Sequence, residues 1–253
     1  MQKEKIYLAT FSENAPAVAR ENGVNLELND LCISQNLDPE CIEATLDAMR
    51  QEMEDAGSYD AIIHGPFTEI IPSAIDHRSV AFGLQRIEEA YQAAKALGIN
   101  RMVVHTGYIP LMYHKSWHLD RSIEFWSRFM SDKPTDFQLF IENVFDDEPV
   151  MMANLIDGLN DPRIRVCLDV GHAHVVTLPE YDVHQWIEVL GHRIGHFHVH
   201  NNDGTADTHQ DLTDGTLDME KVMACIRKHC TEDVTITIES RTCAENVKWL
   251  LDN

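Results

Sequence analysis

Residues 194–203 read IGHFHVHNND, which puts His196, His198 and His200 at alternate positions. Period two is the repeat of a β-strand, so the three imidazoles share one face and Phe197 and Val199 take the other. A strand that hides an apolar face and turns imidazoles the opposite way looks into something polar. Imidazole is both an acid–base group near neutrality and a ligand for transition-metal ions. Groups with those two capacities recur at the ends of other apolar runs. His64 lies in YDAIIHG, His105 in RMVVHTG, Glu142 in FQLFIENV, and Asp169 in IRVCLDVG with His172 just beyond it. Asp207 and His209 follow the histidine run in DGTADTHQD, and Glu239 lies at the end of DVTITIES.

The same period assigns faces elsewhere. With Glu142 inward, Phe140 and Gln138 also point inward; with Glu239 inward, Thr237 and Thr235 follow it; with Asp169 inward, Cys167 does. Carboxylates gathered in one place without cations would not all ionise. A mixed set of carboxylates and imidazoles suits zinc, manganese or similar divalent ions, one to three per chain. His64, His105, Glu142, Asp169, His172, His200, Asp207, His209 and Glu239 are the metal-ligand candidates. His198 is one step deeper than His200 and could support a ligand or contact substrate; His196 is deeper still and reads as a packed, hydrogen-bonded histidine. Arg241, two residues past Glu239, could hold an anion over the site. His77, His174, His184, His192 and His229 read as surface or helix residues. So do His114 and His118, although their place after the fourth apolar run could bring them to a substrate.

Such a site needs elements that deliver all these groups to one place. Candidate strands are 5–11, 24–29, 59–65, 101–107, 137–144, 164–171, 194–201 and 233–240. Candidate helices lie at 39–56, 79–97, 117–131, 148–159, 217–230 and 242–252, with weaker signals near 12–22 and 182–191. The segment 79–97 carries apolar residues at three-to-four spacing and stops before Gly98. Strict alternation of eight strands with helices in 253 residues predicts repeated parallel βαβ units closed as a single-domain (β/α)8 barrel spanning 1–253. An open doubly wound sheet would usually carry a glycine-rich turn after its first strand, and here that turn is FSENAP. In a closed barrel the ends of the strands and the loops after them form the functional mouth, which is where the candidates fall.

Composition sets the outer bounds. Hydrophobic residues make up 44% and charged residues 25%, ordinary for a globular domain. No run approaches the roughly 18 apolar residues of a membrane span, and the N-terminal apolar stretch is too short for a signal peptide, so the cytoplasm is the expected compartment. The six cysteines form no C-x-x-C pair and read as free thiols. Twenty basic against 42 acidic residues give a formal charge of -22, which disfavours a nucleic-acid partner, and bound cations would offset part of it.

The segments IIHGPF, VVHTGY, FIENV, CLDVGHA, HVHNND, DTH and TIES, in this order, resemble the xylose isomerase-like TIM-barrel superfamily (AP endonuclease family 2), which includes endonuclease IV and the ketose 3-epimerases. The resemblance covers nearly the whole chain. By the endonuclease IV pattern, it implies one ion on His64, His105 and Glu142. A second would sit on Glu142, Asp169, His200 and Glu239, and a third on His172, Asp207 and His209. By the epimerase pattern, it implies a single manganese-type ion on Glu142, Asp169, His200 and Glu239, the two glutamates moving protons and His172 touching substrate. Ala206 stands where the epimerases place an arginine, and the first loop, SENAPAVAREN, lacks the basic character of a DNA-penetrating loop.

The expected function is a divalent-metal-dependent isomerase or epimerase of a small sugar or sugar phosphate, with Glu142 and Glu239 as acid and base. The alternative is a multi-zinc phosphoesterase of a small phosphate ester. A metal-binding barrel without catalysis is the third reading.

Overall fold

In a computed structural model, which describes residues 1–58 and 60–253, the eight apolar runs form one closed barrel in which every strand pairs in parallel with its sequence neighbours. The strands are β1 Ile6–Ala9, β2 Asn25–Leu28, β3 Ala61–His64, β4 Arg101–His105, β5 Gln138–Glu142, β6 Ile164–Asp169, β7 Ile194–Val199 and β8 Thr235–Ile238. Each is shorter than its apolar run, trimmed at one or both ends. Tyr59, in the run expected to become β3, lies outside the described residues.

The outer layer comprises α1 Ala15–Asn22, α2 Ile42–Ala56, α3 His77–Ala96, α4 Lys115–Met130, α5 Pro149–Leu159, α6 Val170–Val176, α7 Val183–Leu190, α8 Met219–His229 and α9 Ala244–Asp252. Both weaker helix signals are real: Gly23 closes α1 with a φ of 69°, and a reciprocal Asp182–Gln185 capping box opens α7. The short helix α6 was not foreseen, since its residues looked like the end of a strand. Asp169 starts it by accepting the amide of His172 at 2.6 Å.

The pleat divides each strand as expected. Ile63, Val104, Ile141, Leu168, Phe197 and Ile238 belong to the core between barrel and helices. Inside the barrel, Tyr7, Ile62, Val103, Phe140 and Cys167 form a separate apolar cluster. The opposite part of the interior is polar: Glu27, His196, His198, Thr235 and Thr237 are all buried there. Buried polar groups must find partners, and these find one another directly beneath the mouth.

Candidate metal centre

Glu142 ends β5 at the centre of the mouth, and imidazoles approach it from three sides. His64 Nε2 is 3.2 Å and His105 Nε2 3.3 Å from its Oε2, and His172 Nδ1 is 3.3 Å from its Oε1. Asp169, at the end of β6, lies 3.3 Å from His200 Nε2. Asp207 sits between His172 and His209, whose Nε2 atoms are 3.3 and 3.2 Å from its Oδ2, and His200 Nε2 is 3.5 Å from its Oδ1. Glu239 follows β8 and meets His198 Nδ1 at 3.4 Å. The nine candidates are thus brought to one end of the barrel.

Local bonds fix the directions of these rings. The Nδ1 atoms of His64, His172 and His209 lie 3.0, 2.9 and 2.7 Å from the carbonyls of Gly65, Asn143 and Glu239. A carbonyl only accepts, so each Nδ1 carries a proton and Nε2 is the nitrogen turned to the cluster. This is how proteins prepare imidazoles for metals. Asn143 also trades two bonds with the backbone of Asp169, at 2.9 and 3.0 Å, locking the ends of β5 and β6 together. Beyond β7, Asn201 and Asn202 pin the loop that carries Asp207 and His209: Asn201 Nδ2 donates to Leu212 and Leu217 carbonyls, and Asn202 Nδ2 donates to that of Gly171. His209 is held at a φ of 49°, a left-handed conformation uncommon in non-glycine residues.

Electrostatics follow from crowding. Burial would raise Glu142, but His198 and His105 beside it hold it well below the usual carboxylate range. Glu239 is raised, by burial above all; the carboxylates of Glu142, Glu27 and Asp169 add to this while His198 opposes it. Burial works against His209, yet Asp207 and Glu239 bring it up to about 9. Burial lowers His105, outweighing Glu142 next to it.

The donor set fits divalent cations. Asp169 Oδ2, His198 Nδ1 and both nitrogens of His200 are buried without a hydrogen-bond partner, which is costly unless another ligand satisfies them. Two donors on one tetrahedral zinc lie about 3.3 Å apart, given bonds of roughly 2.0–2.1 Å, and the imidazole–carboxylate separations above cluster at that value. Groups whose donor atoms all lie within 4.8 Å of one another include His64–His105–Glu142, His172–His200–Asp207–His209 and Glu142–Asp169–His198.

Of the other sequence candidates, His198 joins the cluster: it is fully buried, and its Nδ1 lies 3.4 Å from both Glu142 Oε1 and Glu239 Oε1. Arg241 is exposed on the rim, its amide donating to the His209 carbonyl at 3.2 Å. His114 is an exposed residue at the start of α4, and His118 is buried in that helix between Ser73 and Ser122, 3.1 and 3.3 Å from their hydroxyls. His196 bonds Thr235 and Thr237 at 2.6 and 2.8 Å, as a packed histidine should. Sequence reasoning missed Glu27 on β2. It lies beneath the cluster, accepting from the Thr237 hydroxyl and 3.0 Å from His198 Nε2. The signal was present: Asn25 and Glu27 alternate with Leu26 and Leu28, which puts the acid on the face turned into the barrel.

An eight-stranded parallel barrel whose strand ends deliver carboxylates and imidazoles to one mouth is a TIM barrel with a metal-binding type of rim. The chain belongs to the xylose isomerase-like TIM barrel family, whose pattern matches residues 22–252. It is 26% identical to the probable endonuclease 4 of Mycobacterium ulcerans over 185 residues, 68% of this chain and 70% of that one. Its fold is shared by a D-tagatose 3-epimerase-like protein, at a TM-score of 0.75 and 20% identity over 98% of this chain and 96% of that one. The TTHB071 protein of Thermus thermophilus, from a structure soaked with ZnCl2, has the same TM-score at 22% identity over 98% and 96% of the two chains.

Proposed function

We propose that the protein is a divalent-metal-dependent isomerase or epimerase of a small sugar or sugar phosphate. The observation that carries this reading is the pair Glu142 and Glu239, facing each other across His198 Nδ1 at 3.4 Å from each, with proton affinities pushed in opposite directions. Two carboxyls so separated supply a base and an acid in one pocket. Ionised Glu142 takes the proton from a carbon beside a carbonyl, and protonated Glu239 returns one. Return to the opposite face of the same carbon inverts it; return to the old carbonyl carbon, while the hydroxyl proton of the first carbon passes to the old carbonyl oxygen, moves the carbonyl. A divalent ion, when bound, polarises the carbonyl or hydroxyl pair. Glu142, Asp169 and Glu239 together with His198, whose Nδ1 is 3.4 Å from both glutamates, would hold it; His64 and His105 with Glu142, and His172, His200, Asp207 and His209, would hold further ions. Arg241 would meet an anionic end of the substrate from the rim. The fold's likeness to a D-tagatose 3-epimerase-like protein supports the substrate class.

A second reading, a phosphoesterase acting on a small phosphate ester, is favoured by one observation: the His172–His200–Asp207–His209 group is complete, as a multi-ion hydrolytic site requires. The likeness to a probable endonuclease 4 supports it, while the charge of -22 argues against DNA as substrate. The test is incubation of manganese-, cobalt- and zinc-loaded protein with ketoses, ketose phosphates and phosphate esters in D2O. Deuterium appearing at a carbon next to the carbonyl supports the isomerase. Release of inorganic phosphate without deuterium exchange overturns it in favour of the phosphoesterase.

A further inference from the structure

We propose that the loop between β4 and α4, together with the groove between α3 and α4, is an interface between two copies of this chain, with Leu111 and Met112 of each copy seated in the groove of the other. Leu111 is fully exposed and Met112 is 67% exposed at the tip of that loop. The backbone of Leu111 is held at a φ of 65°, a left-handed conformation that is an outlier for a bulky residue. The turn lifts two large apolar side chains off the surface instead of folding them onto it.

The loop leads into α4, and α4 forms one wall of a groove of about 350 Å³. The other wall is α3, and the apolar lining is Pro72, Ile75, Val80, Leu84, Trp117 and Phe125. Val80 and Leu84 lie one turn apart on α3, while Trp117, Arg121, Glu124 and Arg128 run along one face of α4. Ile75 is 80% exposed in this groove and Trp117 39%. Leu111, being fully exposed, does not close the groove of its own chain.

Two arguments make the occupant a second copy. Soluble monomers rarely leave large apolar patches uncovered. A two-fold axis makes a surface meet itself, so it requires a protrusion and a recess side by side on one face. The loop and the groove supply both. Charge selects the same face. Two chains of formal charge -22 repel wherever acids meet. No acid stands between Glu89 and Asp120, although the chain has 42, so the loop and the first turn of α4 bring no carboxylate of their own. At the edge of the groove Arg121 meets Glu124 at 2.7 Å, and Arg128 pairs with no carboxylate among the described residues. Copies that meet here bury apolar groups where acid charge is sparse.

The test is sedimentation equilibrium of the full chain at low and high salt, in chelator so that ions cannot bridge copies. A dimer is expected, tighter at high salt because screening removes the repulsion between acidic copies. Asparagine accepts a left-handed backbone, so Leu111→Asn should fold. Leu111→Asn and Ile75→Asn should each weaken the dimer by at least about 30-fold, the cost of truncating a buried anchor. Val189→Asn, at an exposed apolar position on α7, should leave dimerisation unchanged. Wild type that stays monomeric at about 100 μM, above the Kd of ordinary specific interfaces, overturns the proposal and leaves the groove to another partner. A dimer that both variants leave intact lies on another face and overturns it too. Loss with Leu111→Asn alone overturns the groove as the seat. A dimer that weakens as salt rises is held by ion pairs, which also overturns it.

Discussion

Gly171, the second residue of α6, permits His200 to lie against the helix backbone. A Cβ built at this position would sit 2.0 Å from Cε1 of that ring and 2.5 Å from each nitrogen. Ordinary carbon contacts are about 3.5–4.0 Å, so Gly171→Ala forces the imidazole back by roughly 1.5 Å. It cannot turn aside cheaply, because His209 stacks on it at a centroid distance of 4.0 Å and Asp169 is 3.3 Å from Nε2. Two effects compete. Alanine in a helix gains up to about 1 kcal/mol over glycine, and overpacking a dense interior costs about 1–3 kcal/mol. The net expectation is a loss of about 1–2 kcal/mol, a fall of roughly 2–8 °C in Tm for a domain of this size. The melting should be measured in chelator, so that only packing is compared. With zinc added, displacement of His200 should weaken ion binding by about 10- to 100-fold, the range seen when the support of a ligand is lost. If Gly171→Ala melts at or above the wild-type temperature and binds zinc equally well, the helix gain has won. The His200 ring is then free to move, and the preorganised rim argued above is wrong.

Glu239→Gln preserves shape and removes the proton donor; turnover should fall by about 10²–10⁴-fold while the bound-ion count stays within one of wild type, read by mass spectrometry of metals. Undiminished turnover would remove Glu239 from the mechanism. Burial lowers His118 from 6.5 to about 4, so the folded state keeps it neutral while the unfolded chain takes up a proton. Its contribution is complete above pH 6.5 and is lost as the pH falls towards 4, about 3 kcal/mol in all. Denaturant melts should therefore show wild type losing stability relative to His118→Gln across that window; parallel curves would contradict the assignment. Saturation with zinc at about 100 times Kd should add about 2.7 kcal/mol, and an unchanged Tm would mean no binding to the native state.

The barrel was legible because its two periodicities are chemically loud. Runs such as RMVVH and FQLFIE alternate or sustain apolar residues over strand length, and the segment 79–97 repeats at helical spacing. The mouth was legible for the same reason: strand-end acids and imidazoles fall on the inward parity of strands whose outward residues are apolar. What was not legible lay in the interior beneath the mouth. Glu27 is a single acid in a short strand, and its partners come from β7 and β8, more than 160 residues away. No local pattern specifies that meeting; it is a product of closure. Nor did the sequence divulge α6, whose VGHAHVV run fits either period and is settled by the side chain of Asp169 capping it.

The loop after β7 is stapled at its base, where Asn201 and Gln210 exchange backbone bonds of 3.1 and 2.9 Å. Asp207 and His209 ride inside that closed loop, whereas the remaining seven candidates are anchored at strand ends or at the start of α6. The rim is therefore modular. Exchanging the cassette 203–209 would add or delete the donors of Asp207 and His209 together while leaving the Asn201–Gln210 staple and the Asn202 bond to Gly171 in place, and so convert a broad donor array into a narrower one in a single insertion or deletion.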